Sequence, residues 1–269
     1  MKFIQFLQAN LTVPEAHELP CGTAMVYSAP APEKEGFNED AAALISIEPD
    51  GCVLIVADGV GGQQAGDEAA RIAVDSITGA IRQNQESQSL RDSILDGIEQ
   101  ANRRIIAMSR GAATTIVVAE IYQKQLRTYY VGDSLILLTG QRGRLKFQNT
   151  AHSPVGYALE SGFIDEEEAI NHDERNLISN VIGSAEMSIE MGPVVKISPR
   201  DTLILSSDGI PDNLYVDEII ETVRAGKLNQ SALRLTEIVD QRMCNSGTDY
   251  PSNSDDFTFI LYRPKMRNP

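Results

Sequence analysis

The most constraining feature of this sequence is a series of strand-like segments joined by very short connections. Residues 119–147, AEIYQKQLRTYYVGDSLILLTGQRGRLKF, alternate apolar runs with turn residues and leave only two to five residues between consecutive runs. Connections this short close hairpins, because a parallel pair of strands needs a crossover of about a dozen residues or more. The sequence therefore predicts mainly antiparallel sheet.

Other β-branched or aromatic runs bounded by turn residues predict further strands. The predicted strands are 41–47, 52–57, 113–121, 125–131, 134–139, 144–148, 201–207 and 257–262. Helical periodicity occurs in two pairs of neighbouring segments, which are 66–83 with 89–110 and 216–226 with 231–244.

Each helix pair can cover one face of a sheet. We therefore expect an α+β fold, a four-layer α-β-β-α sandwich in which two mainly antiparallel sheets pack face to face with a helix pair outside each. The sequence shows no repeat, low-complexity run or linker, so we expect a single domain over residues 1–269. The polar connection at about 150–185 is long for a compact domain, which is typical of a functional or mobile flap.

Composition narrows the possible partners and compartment. The formal net charge of -15 and pI near 4.6 disfavour nucleic-acid binding and docking on anionic membranes, and most of this acidity is expected to serve solubility. Cys21, Cys52 and Cys244 are odd in number and scattered, which is typical of reduced thiols. We expect no export signal in the N-terminal segment, and no run approaches the roughly 20 apolar residues that span a bilayer. We expect a cytoplasmic monomer.

Some acidic residues stand where solubility does not explain them, at the ends of predicted strands. Three aspartates follow strands and two precede them, and these are Asp58, Asp133 and Asp208, then Asp40 and Asp255. Neighbouring antiparallel strands end and begin at the same edge of a sheet, so we expect all five at one rim. One such aspartate alone is more often a turn or cap residue, but five together favour a site for hard divalent cations. No histidine or cysteine accompanies them, which disfavours zinc.

Seven segments around these aspartates resemble motifs of the metal-dependent protein phosphatases of the 2C type, the PPM family. The resemblance extends over about residues 22–263, and the motifs occur in the family's order. The segments are FNEDA (37–41), VADGVGG (56–62), GAATTIVVAEI (111–121), YVGDSLILL (130–138), the flap sequence 152–183, DTLILSSDGIPDNL (201–214) and DDFTFIL (255–261).

The resemblance implies a dinuclear site for Mn²⁺ or Mg²⁺. Asp58 would bridge both cations and the Gly59 carbonyl would bind one of them. Asp208 and Asp255 would hold the other cation, and Asp40 would act through bound water. The glycines after Asp58 would let a backbone carbonyl approach a cation without obstruction.

Bacterial members of the family often hold a third, weaker cation, and Asp133 and Asp208 occupy the matching positions. The implied reaction is hydrolysis of phosphoserine or phosphothreonine by a hydroxide that bridges the two cations, without a phospho-enzyme. The expected partners are phosphorylated proteins, namely a Ser/Thr kinase or its targets.

The sequence departs from the family pattern at several positions. Glu35 stands where many members carry a phosphate-binding arginine. The adjacent Lys34 is a candidate for that phosphate contact, and the alternative is that it is a solvated surface lysine. Val60 replaces a histidine that some members carry, Leu135 replaces an arginine and Asp256 replaces an asparagine.

Two other functions are weighed. A catalytically weak or inactive relative, acting as a phosphoprotein-binding or regulatory module, is favoured by the missing arginine. The retained acidic residues argue against it, because a pure binding module needs no metal site. A dinucleotide-binding domain with GVGGQQAG (59–66) as its glycine fingerprint is disfavoured, because Gln64 stands at the third glycine.

Overall fold

A computed structural model describes residues 1–32, 34–60, 65–83, 89–245 and 250–265 of the chain. The strands are β1 (Lys2–Leu7), β2 (Glu15–Leu19), β3 (Gly22–Ala29), β4 (Ala41–Ile47), β5 (Gly51–Ala57), β6 (Gly59–Val60), β7 (Ala113–Thr114), β8 (Ile116–Tyr122), β9 (Gln125–Val131), β10 (Leu135–Thr139), β11 (Leu145–Gln148), β12 (Glu190–Met191), β13 (Val195–Lys196), β14 (Thr202–Ser206) and β15 (Phe257–Pro264). The helices are α1 (Gly66–Gln83), α2 (Leu90–Met108), α3 (Pro154–Glu160), α4 (Glu166–Ile170), α5 (Val216–Val223) and α6 (Leu228–Cys244).

Two sheets carry the fold, and the strand pairs in both are antiparallel. The first sheet has the order β1-β4-β5-β8-β9-β12, with β13 also paired to β9. The second has the order β11-β10-β14-β15-β3-β2. A short pair, β6 with β7, lies beside them. The expectation of antiparallel sheets is confirmed, and the fold is a mixed α/β fold.

Side chains alternate between the two faces of each central strand. On β5, Val53 and Ile55 belong to an apolar cluster shared with α1 and α2, whereas Leu54 and Val56 belong to a cluster shared with the second sheet. On β15, Phe259 belongs to a third cluster, shared with α5 and α6. The sequences of these central strands are continuously apolar because both faces of each strand are buried.

The predicted helices and strands largely match those observed. The first helix was predicted at 66–83, and α1 has these bounds. The predicted strand 113–121 is divided into β7 and β8 at Thr115, whose amide donates to the carbonyl of Asp58. Six of the observed strands lie outside the predicted ones, namely β1, β2, β3, β6, β12 and β13.

The long connection predicted as a flap contains α3 and α4. Ser153 caps α3 by accepting a hydrogen bond from the amide of Gly156, and Asp165 and Glu168 form a capping box at the start of α4. In the part of the chain that the structure describes, no helix is both long enough and apolar enough to cross a membrane.

Candidate metal centre

The register of β4 against β5 brings two of the predicted aspartates together. Ala41 lies opposite Ala57, so Asp40, just before β4, and Asp58, just after β5, lie at the same edge of the first sheet. Asp40 is buried, and the pKa of its carboxyl is raised well above its ordinary value by burial and then by the charge of Asp58. The β4–β5 register therefore places Asp40 and Asp58 at one edge, where antiparallel pairing predicts them.

The second sheet supplies the other half. Ser206 of β14 lies opposite Phe259 of β15, so Asp208 and Asp255 lie at one edge of that sheet. Ser207 links the two sheets at this point. Its hydroxyl donates to Oδ2 of Asp40 at 2.9 Å and accepts a hydrogen bond from the amide of Thr258 at 3.0 Å.

The carboxylates of this acidic rim interact strongly. Desolvation, followed by the charges of Asp133 and Asp255, raises the pKa of Asp58 to about 7, although hydrogen bonds with Asp208 oppose the shift. The pKa of Asp208 is raised well above its ordinary value, first by desolvation and then by the charge of Asp58, followed by those of Asp212 and two other rim aspartates. Such mutual repulsion is relieved when cations bind between the groups.

Asp133 extends the same cluster from the end of β9. Desolvation, together with the charge of Asp212, raises its pKa to about 6. Its Oδ1 atom is buried and has no hydrogen-bond partner. Gly132 precedes it with φ of +105°, and a Cβ there would lie 2.5 Å from Cβ of Thr115, so only glycine fits.

The backbone after Asp58 is fixed by hydrogen bonds and close packing. The Asp58 carbonyl accepts hydrogen bonds from Oγ1 of Thr114 at 2.7 Å and from the amide of Thr115 at 2.9 Å. A Cβ on Gly59 would lie 2.4 Å from the carbonyl carbon of Gly66, so the loop closes onto the start of α1 only with glycine here. Gly61, Gly62 and Gln64, which belong to the glycine-rich motifs of the sequence, lie outside the residues that the structure describes.

Glu39 was not predicted as a site residue. A Cβ on Gly66 would lie 2.8 Å from Oε1 of Glu39 and 2.9 Å from the carbonyl oxygen of Gly59, so these two oxygens border the same glycine. Oε1 of Glu39 is buried without a hydrogen-bond partner. Its position in the FNEDA segment, directly before Asp40, is the feature of the sequence that could have identified it.

These atoms suit hard cations. The donors are carboxylate and backbone oxygens, and two buried carboxylate oxygens, on Glu39 and Asp133, lack any partner. Within the described ranges, no three or more His, Cys, Asp or Glu side chains are arranged to hold one metal ion. Mg²⁺ usually keeps several water ligands, so carboxylates that do not all converge on one point can still hold it, partly through water. The residues present therefore fit a pair of hydrated divalent cations.

Lys34 is partly buried and forms two ion pairs. Its ammonium donates to Oδ2 of Asp256 at 2.7 Å and to Oε2 of Glu39 at 2.9 Å. Asp256, the departure from the family asparagine, also accepts hydrogen bonds from the amides of Ala31 and Glu39 and is 4% exposed. The additional charge at Asp256 is thus balanced by Lys34, whereas Glu35 is exposed.

The surroundings of two other departures from the family pattern, Leu135 and Val60, and of the flap residue His152 are also defined. Leu135 is buried in the apolar cluster with α5 and α6, and Val60 pairs with Ala113 in the short β6–β7 ladder. His152 is buried, and its Nδ1 accepts a hydrogen bond from the amide of Gly132 at 3.1 Å.

A cavity of about 750 Å³ opens beside the acidic rim, between the flap, β10–β11 and the start of α5. Asp133, Asp208 and Asp212 line one side, and Arg175 of the flap lines another. Burial raises the pKa of Asp212 and the charge of Arg175 opposes that rise, so the guanidinium interacts electrostatically with the acidic side. Neither Asp212 nor Arg175 was predicted, because each is placed by loop conformation and not by strand register.

The sequence is similar to known protein phosphatases, both as a family profile and as individual proteins. The family profile described as protein phosphatase 2C matches residues 33–242. The serine/threonine phosphatase stp of Listeria monocytogenes is 30% identical over 198 residues, which are 70% of this chain and 78% of that protein.

Solved structures agree with the sequence comparison. The S. agalactiae serine/threonine phosphatase is 25% identical, with 90% of this chain and 99% of that chain covered at a TM-score of 0.76. The catalytic domain of the serine threonine protein phosphatase PstP, solved in complex with 2 manganese ions, is 21% identical, with 90% and 98% covered at a TM-score of 0.69. With a profile match over most of its length, this chain belongs to the protein phosphatase 2C family.

Proposed function

We propose that this chain hydrolyses phosphoserine and phosphothreonine in protein substrates with the help of two divalent cations at the acidic rim. The observation that carries the proposal is the convergence of Asp58, at the edge of the first sheet, with Asp208 and Asp255, at the edge of the second, into one group of mutually repelling carboxylates. The name of the Listeria relative supports the activity, and the two manganese ions of the PstP structure support the cofactor.

The rim residues would divide the two cations between them. Asp58 would contact both, the Gly59 carbonyl would bind one, and Asp208 and Asp255 would bind the other. Asp40 would act through water, since its carboxylate is buried and accepts a hydrogen bond from Ser207. Asp133, with its unpartnered Oδ1, would serve a third cation. When bound, Mn²⁺ or Mg²⁺ would supply an activated water and neutralise charge on the phosphoryl oxygens.

The protein's own residues would position the substrate. The cavity beside the rim is large enough for a phosphorylated side chain with adjoining backbone, and its apolar lining includes Leu145, Phe147 and Leu214. Arg175 brings a guanidinium to this cavity, and arginine suits phosphate because its fork of donors binds two oxygens at once. Lys34 is held by two carboxylates, so we assign the phosphate contact to Arg175.

The overall arrangement proposed is one domain over residues 1–269 with four layers, helix pair, sheet, sheet and helix pair, and a flap at about 150–185. The three apolar clusters support it, since each is shared between two successive layers. Cys21, Cys52 and Cys244 are free thiols, which supports a reducing cytoplasmic compartment. We propose that the enzyme acts as a monomer on phosphoproteins such as a Ser/Thr kinase or its targets.

The test is release of phosphate from phosphothreonine and phosphoserine peptides, measured with Mn²⁺, with Mg²⁺ and with EDTA. We expect turnover with either cation, loss of turnover in EDTA, and a decrease in kcat/KM of at least about 100-fold in Asp58→Asn, since ligand changes at metal sites are severe. Asp50→Asn, in the turn before β5 and far from the rim, is the matched control and should stay within about twofold. Fully metallated protein that binds phosphopeptides without hydrolysing them would instead indicate the inactive, phosphoprotein-binding function.

A further inference from the structure

Two cysteines from different sheets face one another inside the molecule. Cys21 lies between β2 and β3 of the second sheet, and Cys52 lies in β5 of the first. Both are buried, and their Sγ atoms are 2.9 Å apart. Non-bonded carbon atoms pack at about 3.5–4.0 Å, so the two sulfur atoms are in unusually close contact.

The backbone holds both thiols in this arrangement. The Cys21 carbonyl accepts hydrogen bonds from the Tyr262 hydroxyl at 2.9 Å and from the Lys265 amide at 3.0 Å. Cys52 lies within a central strand, opposite Ser46 on one side and Ile121 on the other. A disulfide is about 2.05 Å long, so the two sulfur atoms need to approach by roughly 0.9 Å for the bond to form.

We propose that Cys21 and Cys52 form a reversible disulfide that joins the two sheets. With a peroxide as oxidant, the Cys21 thiolate attacks one peroxide oxygen, giving a sulfenic acid and releasing hydroxide. The Cys52 thiol then attacks that sulfur, so the S–S bond forms and water leaves. Overall, two thiols and one hydrogen peroxide give one disulfide and two waters, and a dithiol reductant reverses the change.

The environment assigns the two roles. The hydrogen bond with Cys52 lowers the pKa of the Cys21 thiol, although burial opposes this effect. Burial raises the pKa of the Cys52 thiol well above its ordinary value. Cys21 is also the less deeply buried of the two, at 7% against 0% exposed. Cys21 is therefore the attacking thiol and Cys52 the resolving one.

The bond would stabilise the fold without reaching the acidic rim. Cys52 lies at the beginning of β5 and Asp58 just beyond its end, about 20 Å away at the rise of an extended strand. Linking the sheets restricts the unfolded chain, so we expect oxidation to raise the melting temperature by about 5–10 °C. Phosphatase turnover should change by less than about twofold.

The experiment uses the full chain with Cys244→Ser, which removes the exposed thiol. Reduced protein is treated with hydrogen peroxide, its remaining thiols are alkylated, and it is digested with trypsin. Cleavage after Lys2, Lys34 and Arg71 places Cys21 and Cys52 in separate peptides, residues 3–34 and 35–71. We expect these two peptides to be linked, to separate with dithiothreitol, and to be unlinked in an added Cys52→Ala variant.

The outcomes are decisive without relying on how a variant folds. If both peptides of the folded, peroxide-treated protein carry the alkylating agent and remain separate, the proposed disulfide does not form. If the peptides are linked but the melting temperature does not rise, the bond does not hold the sheets together. Both results are independent of phosphatase activity, so they are distinct from failure of the proposed function.

Discussion

The ion pair between Lys34 and Asp256 gives a quantitative test of how the acidic rim is held together. Asp256 is 4% exposed and Lys34 is 26% exposed, and their ammonium and carboxylate groups are 2.7 Å apart. In Lys34→Met, Asp256 keeps its hydrogen bonds from the amides of Ala31 and Glu39 but loses its counter-charge. Removing one partner of a fully buried pair costs about 3–5 kcal/mol, and the partial exposure of Lys34 reduces our expectation to about 2 kcal/mol.

The neutral partner variant completes a double-mutant cycle. Asp256→Asn restores the family residue and leaves Lys34 bound to Glu39, so it should cost about 1 kcal/mol. The double variant, Lys34→Met with Asp256→Asn, contains neither charge and should also cost about 1 kcal/mol. The coupling free energy between the two positions is then about 2 kcal/mol, within the range found for contacting charged groups.

The assay is urea unfolding in EDTA, followed by circular dichroism, so that cation binding does not contribute to the free energy of unfolding. Mn²⁺ affinity is measured by calorimetry on the unsubstituted protein, the two single variants and the double variant. It should weaken in Lys34→Met, because the Glu39 and Asp256 carboxylates are no longer bound by the ammonium and can move. A double variant whose loss equals the sum of the single losses within about 0.5 kcal/mol would refute the reasoning. In that case Lys34 and Asp256 do not act as a pair.

Three further outcomes are expected. The raised pKa of Asp58, about 7, means that the folded metal-free protein binds a proton that the unfolded chain, with an ordinary pKa near 3.9, has already released. The free energy of unfolding in EDTA should therefore rise as the pH falls from about 7 toward 4. Asp58→Asn should flatten this pH dependence. A higher free energy of unfolding at pH 7.5 than at pH 5 in urea titrations would contradict this expectation. Gly59→Ala should lower the free energy of unfolding by about 1–3 kcal/mol, because the added Cβ meets the Gly66 backbone. The control is Gly79→Ala, where an added Cβ has no neighbouring atom within 4 Å, and it should be neutral or stabilising in the same titrations. Arg175→Ala should lower kcat/KM for phosphopeptides by about 10–100-fold, with the exposed Arg142→Ala as control, and equal kinetics of both variants would exclude the phosphate contact.

The acidic rim could be anticipated because it depends on local rules. Asp40 and Asp58 border strands whose apolar runs are unmistakable, and antiparallel pairing places a strand's end beside its neighbour's beginning. The helix α1 was predicted with its observed bounds because its apolar residues repeat regularly over five turns.

Elements that depend on distant parts of the chain could not be anticipated in this way. The strand β3, GTAMVYSA, is rich in small residues and lacks a strong β signal, yet it lies between β15 and β2 with its register set by residues 257–264. Lys34 illustrates the same point, since its role depends on Asp256, 222 residues later. The contact of Cys21 with Cys52 requires knowledge of which sheet each strand joins.

The division of the acidic rim between two sheets has a wider consequence. Asp58 is attached to one sheet, Asp208 and Asp255 are attached to the other, and the apolar layer between them contains residues such as Leu54 and Ile260. The spacing of the two halves is therefore set by the volume of hydrocarbon side chains in the interior. If the rim binds two cations as proposed, we expect that exchanging a large interior side chain for a smaller one would change the gap between the two halves, and with it the ion preference, without changing any rim residue.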